Sequence, residues 1–277
     1  DLKNIKYCDV IILCLPTPIK NKLPDISEIK KTMKYIKKYL KKDQVLILES
    51  TTYPGTTNEI IKPFIYRDFK IGSNFYLCYS PERENPGGKI KFRNIPKICS
   101  GYTKNCLELC RCIYSKIVKR VVSADNLREA ELTKLVENIY RSVNIGLVNE
   151  LKMISNKMNI NFMKVLNLAS TKPFGFEKFV PGPGVGGHCI PVYPKFYLST
   201  HSSATLPQVA ITVNESMPQR AVKELKRAFQ NDTEEKRIAI LGAAYRGGVK
   251  ETAFSGVFSL VNEITNIGWR PLVHDPL

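Results

Sequence analysis

The stretch CDVIILCLPTP, residues 8–18, decides the fold. Its apolar run, Val10–Leu15, is short and stops at a Pro-Thr-Pro turn, the pattern of a buried strand rather than a helix. Residues 28–42 then carry helical periodicity, and QVLILEST (44–51) reads as a second strand. Asn74–Ser80 predicts a third strand and residues 97–100 a further short one. Strands alternating with helices define an α/β fold with a parallel, doubly wound sheet. Ligands of such sheets bind beyond the carboxyl ends of the strands. Pro16-Thr17-Pro18, Glu49-Ser50-Thr51 and Ser80-Pro81-Glu82 all fall at those ends.

Farther along, a long helix is expected from about Asn126 to Met158, with Leu132, Leu135, Ile139, Val143 and Leu147 on one face. More helix is expected over 161–170 and near 207–229, with a glycine loop between them. NDTEEK (231–236) reads as a linker or surface turn. RIAILGAAY then opens a second strand-turn unit, and WRPLVHDPL reads as its next strand.

The chain has 277 residues, 43% of them hydrophobic, enough to bury a sizeable core in two or three domains. No apolar run approaches the length that spans a bilayer, so no membrane partner is expected. The first residues show no signal-peptide pattern and no initiating Met, and they run almost at once into a strand; the expectation is a chain cut from something longer. Eight scattered cysteines suggest free, mostly buried thiols in a reducing cytoplasm. Cys106, Cys110 and Cys112 have helical spacing without a second cluster, which argues against a metal site.

Net charge is +17, from 42 Lys+Arg against 25 Asp+Glu. That balance suits an acidic partner: nucleic acid, an anionic surface or a phosphorylated small molecule. In the densest run, IKKTMKYIKKYLKK (29–42), Ile29, Met33, Ile36 and Leu40 form an apolar stripe with lysines elsewhere. A surface helix covering the sheet accounts for this better than a membrane- or nucleic-acid-binding helix. No RNA-binding aromatic motif or metal finger accompanies the charge, and no nucleic-acid partner is expected.

In PGPGVGGHCIPVYP (181–194), Gly182-x-Gly184-x-x-Gly187 imitates a dinucleotide fingerprint. A true fingerprint follows a strand, opens a helix and has an acid about 20 residues on. KPFGFEKFVP precedes this one, and HSSATLP, where the acid should stand, has none. What remains is a run of close-approach backbone beside Cys189, which leaves that thiol either reactive or a small residue buried in a turn. Lys134 and Asn138, at i and i+4, either offer two donors to an oxyanion or form a solvated helix face.

Pro16-Thr17-Pro18, Glu49-Ser50-Thr51 with Pro54-Gly55-Thr56, Ser80-Pro81-Glu82-Arg83, Lys134-x-x-x-Asn138 and Gly186-Gly187-His188-Cys189-Ile190-Pro191 occur in that order. Together they closely resemble the UDP-glucose/GDP-mannose dehydrogenase family over nearly the whole chain. Asn-Glu-Ser-Met-Pro (214–218) and Leu241-Gly242-x-x-Tyr245-Arg246 extend the likeness. The form GPGVGGHCIP resembles the branch acting on UDP-N-acetylhexosamines, UDP-GlcNAc or UDP-ManNAc, more than the UDP-glucose enzymes.

The resemblance implies a cytoplasmic, NAD-dependent oxidation of a sugar C6 alcohol to a carboxylate, making uronate for surface polysaccharide. Cys189 would be the nucleophile, forming a thiohemiacetal and then a thioester. Lys134 and Asn138 would hold the oxyanions, and Thr51 and Glu82 would order water and move protons. Pro16, Thr17, Pro18, Glu49 and Ser50 would contact NAD. Gly182, Gly184, Gly186, Gly187, Tyr245 and Arg246 would line the UDP-sugar. The implied domains are the remainder of a Rossmann-like NAD-binding domain (1–122), a central all-helical dimerisation domain (123–218) making a homodimer, and the start of a second Rossmann-like domain (219–277).

Three departures stand out. Tyr193 occupies the place of a family Asp, leaving water activation to Glu82 or His188, and Ala253 replaces an Arg expected to reach a neighbouring subunit's substrate. The family's first βαβ unit with its GxGxxG and most of its last domain are not in this sequence. If the 277 residues are the whole molecule, weak or no NAD binding and no turnover are expected.

Overall fold

The computed structural model describes residues 2–21, 23–85, 88–230 and 234–276, so Asn231–Thr233 of the NDTEEK turn lie outside the described residues. The chain forms two compact units, Asp1–Glu137 with Lys195–Thr200, and Asn138–Pro194 with His201–Leu277.

In the first unit, strands β1 (Val10–Leu13), β4 (Val45–Leu48), β5 (Tyr76–Tyr79), β6 (Lys97–Gly101) and β7 (Val121–Ser123) form one sheet in that order. A small hairpin, β2 (Ile19–Lys20) with β3 (Leu23–Pro24), follows the turn after β1. Helices α1 (Ser27–Ile36) and α2 (Lys104–Ser115) cover opposite faces. The alternation within β4 shows why two faces are needed. Leu46 and Leu48 join a core with Ile29, Met33 and Ile36 of α1, whereas Val45 and Ile47 join Cys78, Cys99 and Cys106, Cys110 and Tyr114 of α2. The lysine-rich helix thus buries its apolar stripe, Ile29, Met33 and Ile36 being fully inaccessible, and turns its charges outward. α1 itself ends at Ile36 and runs on as a tight 3₁₀ turn, Lys37–Tyr39.

One pairing departs from the all-parallel expectation. β1–β4, β4–β5 and β6–β7 are parallel, but β5–β6 is antiparallel, with Tyr79 opposite Ser100. Among its described residues, the connection from β5 to β6 holds a 3₁₀ turn, Phe92–Asn94, and no crossover helix. Without a crossover the chain re-enters the sheet in the opposite direction.

The 31-residue helix α3 (Leu127–Lys157) contributes its first turns to this unit and the rest to the second. The second unit continues with α4 (Phe162–Ala169), the glycine loop, the first half of the helix α5 (Cys189–Thr200) that the loop leads into, whose Lys195–Thr200 belongs to the first unit, and α6 (Thr205–Ala228). It ends with β8 (Arg237–Leu241) and β9 (Arg270–His274), paired in parallel across α7 (Gly256–Asn266). Ile240, Ile264 and Trp269 close that last core with Val222 of α6.

The face of α3 that is buried differs from the expected one. Leu135 is inaccessible, but Leu147 is 50% exposed. The buried positions of the helix mix apolar Leu127, Ala130, Leu135 and Val148 with polar Glu131, Asn138, Ser142 and Asn149. Hydrogen-bond partners on other elements make this possible, as the site shows.

Candidate active site

The first unit gathers three polar turns on the carboxyl edge of β1, β4 and β5. The Ser50 amide donates to the Leu13 carbonyl, its hydroxyl donates to the Leu15 carbonyl at 2.8 Å, and the Leu15 N–H donates to that hydroxyl at 2.7 Å. Thr17 Oγ1 donates to the Thr51 carbonyl at 2.8 Å. The hydroxyls of Thr17 and Ser50 thus staple two strand ends together, and both side chains are buried, as is Thr51. Beside them Thr52 Oγ1 is buried without a partner, polar capacity the protein leaves unspent. The edge therefore fits a bound dinucleotide by strand direction and by its unspent hydroxyl.

At the centre stands Lys97, 3% exposed, a residue that no sequence motif singles out. Its ammonium lies 2.8 Å from Glu49 Oε1 and 2.9 Å from Glu82 Oε2. The Tyr114 ring sits 5.0 Å from it and the Phe92 ring 6.0 Å. Glu49 also accepts from the Tyr114 hydroxyl and, at 3.4 Å, from the Cys14 thiol. Burial and then the Glu49 charge push the Cys14 thiol up to about 11, so it stays protonated. The Tyr114 phenol is likewise pushed up, by burial and by Glu49.

Burial works against ionisation of Glu82, yet its carboxyl is held below the ordinary range. Lys97 and the backbone N–H groups of Glu84 and Arg83, at 2.6 and 2.7 Å, outweigh the desolvation. The next residue, Arg83, donates to the Pro96 carbonyl and pairs with Glu137 of α3 at 2.7 Å.

A second clamp fixes the start of α3. Glu131, fully buried, accepts from the Gly55 N–H at 2.5 Å, the Thr57 N–H at 2.8 Å and the Thr57 hydroxyl at 2.7 Å. These donors belong to the turn after β4 and the π-helical turn Thr56–Ile61. Burial raises the Glu131 carboxyl despite those three bonds. Lys134 lies one turn beyond Glu131 and one turn before Glu137, so both clamps bear on the stretch of α3 that carries it. Asn138 follows Lys134 by one turn and is buried.

The second unit builds the glycine loop. Asn149 Oδ1 accepts from the Gly182 N–H at 3.0 Å, while its Nδ2 donates to Asn214 Oδ1 at 3.0 Å. Asn214 in turn donates to the Ser142 carbonyl at 3.0 Å. This buried chain of amides explains the first residue of Asn-Glu-Ser-Met-Pro: it ties α6 to α3 and, through Asn149, to the loop. Gly187 has φ of 78° and donates to the Ala253 carbonyl at 2.9 Å. A Cβ on Gly186 would lie 2.5 Å from Tyr245 Cβ and 3.0 Å from the Phe254 carbonyl. Those glycines are required because Tyr245 and Ala253–Ser255 press against them.

Cys189 is exposed and is the first residue of α5, outside any tight turn. Exposure removes the buried-turn alternative. Before it, His188 packs edge-on against Tyr193 at 5.6 Å and Phe254 at 5.9 Å. Burial lowers the His188 pKa and favours the neutral ring. Lys134, Thr51 and Glu82 belong to the first unit; Asn138, Cys189, the loop glycines, Tyr245 and Arg246 belong to the second. Of the eight cysteines four are buried and four exposed, fewer buried than expected. Among the described residues, no three His, Cys, Asp or Glu side chains could share a metal ion, and no helix is long and apolar enough to cross a membrane.

Polar turns on the carboxyl edge of a parallel-dominated sheet, followed by a large helical region, place the chain among Rossmann-like nucleotide-binding proteins. Within that class it belongs to the UDP-glucose/GDP-mannose dehydrogenase family: residues 1–118 match the family's NAD binding domain and residues 128–217 its central domain. A UDP-N-acetyl-D-mannosamine dehydrogenase of Methanocaldococcus jannaschii is 34% identical over 272 residues, spanning 96% of this chain and 62% of its own length. A UDP-N-acetyl-D-glucosamine 6-dehydrogenase of Pseudomonas aeruginosa is 33% identical, spanning 100% of this chain and 68% of its own. The chain thus spans less than two thirds of the first of these relatives. The solved structure of a UDP-D-ManNAc dehydrogenase from Pyrococcus horikoshii superposes with a TM-score of 0.90 at 30% identity, over 100% of this chain and 67% of that one.

Proposed function

We propose that the protein acts in the NAD-dependent, four-electron oxidation of the C6 hydroxyl of a UDP-N-acetylhexosamine, UDP-GlcNAc or UDP-ManNAc, to the uronate. The observation that carries this reading is the docking of α3 on the carboxyl edge. Glu131 and Glu137 grip the turns after β4 and β5, the turns that carry Thr51 and Glu82, and Lys134 stands between the two grips. NAD would be held by Pro16, Thr17, Pro18, Glu49 and Ser50, and supplies a hydride acceptor.

Loss of one hydride from C6 to a bound NAD would turn the alcohol into an aldehyde. The Cys189 thiolate adds to it as a thiohemiacetal, and loss of the second hydride to a second NAD would leave a thioester. Lys134 and Asn138 donate to the oxyanion of each tetrahedral species. Thr51 orders the hydrolytic water and Glu82, held ionised, receives its proton; water displaces the Cys189 thiolate and leaves the carboxylate product. Gly182, Gly184, Gly186 and Gly187, with Tyr245 and Arg246, frame the UDP-sugar. A groove of about 490 Å³ beside Pro181–Pro183, bearing Lys152, Lys157, Arg220, Lys223 and Arg227, supports an anionic substrate. The setting we infer is a cytoplasmic homodimer, formed through the central helices, that makes precursors of surface polysaccharide.

Tyr193 favours a second reading, a nucleotide-sugar binder without turnover, because no carboxylate stands at that position and its neighbour His188 is a weak base. A panel of UDP-sugars assayed by NADH absorbance on the full-length protein, with its GxGxxG unit present, separates the two. The enzyme reading requires reduction of NAD with a UDP-N-acetylhexosamine and its loss, by 10³-fold or more, in Cys189→Ala. UDP-sugar binding with no NADH from any member of the panel would establish the binder; preference for UDP-glucose would move the substrate assignment.

A further inference from the structure

We propose that Lys97 is the positioning residue of this site: one buried ammonium holds Glu49 and Glu82 from adjacent strand ends and thereby fixes where the Glu82 carboxylate points. The inference rests on the reading of Glu82 as the proton acceptor and adds the group that prepares it.

Lys97 opens β6, on the strand that runs antiparallel to β5, so its side chain meets the carboxyl ends of β4 and β5 from across the sheet. It is the least exposed cation in the gathering and touches both carboxylates at salt-bridge distance. Burying an ammonium is costly, and an apolar residue would fill a strand position more cheaply. Two carboxylates facing one cation explain its retention electrostatically. The backbone N–H groups of Arg83 and Glu84 hold Glu82 Oε1, and Lys97 holds Oε2, so the carboxylate plane is set by both oxygens. Glu49 is anchored separately by Tyr114 and Cys14, which fixes the ammonium in turn. The titratable groups around Lys97 are Glu49, Glu82, Tyr114 and Cys14, with the thiols of Cys99 on β6 and Cys110 on α2 within reach of its charge.

The test reads Glu82 directly, by the ¹³C carboxyl signal that disappears in Glu82→Gln, followed through a pH titration of the full chain. Lys97→Met is expected to move the Glu82 midpoint up by about one pH unit or more, and Lys97→Arg to keep it low. Glu49→Gln, which leaves Lys97 unshared, is expected to move the midpoint further down; this arm decides the matter should Lys97→Met fail to fold. In turnover, Lys97→Met should lower kcat at least tenfold with KM within about twofold, shift the acidic limb of the pH–rate profile upward with the Glu82 midpoint, and be rescued by arginine. An unmoved midpoint in both Lys97→Met and Glu49→Gln, or a pH–rate limb that does not follow it, overturns the proposal. Absence of turnover in the full-length protein would sink the enzyme reading alone, since the titration still decides the role of Lys97.

Discussion

Gly186 meets Tyr245 Cβ at 2.5 Å from where its own Cβ would stand, and the Phe254 carbonyl at 3.0 Å. Neither neighbour is a flexible tip, so Gly186→Ala is expected to cost about 1–3 kcal/mol, read as a drop in Tm, and to weaken UDP-sugar binding with it. His188 gives a pH test. Its folded pKa is lowered by burial, whereas the unfolded ring takes a proton near its ordinary 6.5. The unfolded chain binds more protons in that window, so stability is lost as pH falls from about 6.5 toward the folded value. His188→Phe should flatten that part of a Tm-against-pH curve; an unchanged slope would remove His188 from the account. Cys189 was legible because its surrounding motif is distinctive. Lys97 was not, since one cation among 42 carries no mark until the antiparallel return of β6 brings it to the strand ends.

Helix α1 shows when an element can be read directly: its apolar stripe faces one hydrophobic core, shared by the sheet with Ile61 and Ile65 after β4, and the buried residues are the periodic ones. Helix α3 has several partners, and its buried face follows polar bonds instead. Asn149 and Asn214 sit inaccessible or nearly so and bond to each other, to Ser142 and to Gly182. Hydropathy ranks such residues as exposed, so only the packing of α6 and the loop against α3 discloses them. Asn149→Ala and Asn214→Ala are each expected to cost about 1–3 kcal/mol in denaturant unfolding, because each leaves buried polar atoms unpaired: Asn214 Oδ1 and the Gly182 N–H in the first, Asn149 Nδ2 and the Ser142 carbonyl in the second. The double variant should fall short of the sum by about 1 kcal/mol or more; strict additivity would show that the two amides act independently.

For the whole molecule the unresolved matter is what covers the outer face of α3. Leu147, Leu151, Ile154 and Met158 are 50%, 41%, 47% and 61% exposed, at spacings of four, three and four. Leu147, Leu151 and Ile154 form one stripe along the second half of a 31-residue helix, continued by Met158 in the turn after it, the kind of seam by which helices pair. α6, which meets α3 closely where Gly146 faces Ala210, adds exposed Leu206 and Val209. The homodimer proposed above would use this face, since like stripes can be self-complementary across a two-fold axis. The net charge of +17 on each copy opposes that association at long range. Two opposed terms give a distinctive signature: apolar contact holds the pair together, and salt, by screening the repulsion, should tighten it. Sedimentation is therefore expected to show a dimer whose dissociation constant falls between 50 and 300 mM salt, and a monomer of unchanged helicity for Leu151→Asp/Ile154→Asp. A wild-type monomer at tens of micromolar, or a double variant that still dimerises, would assign the stripe to some other contact.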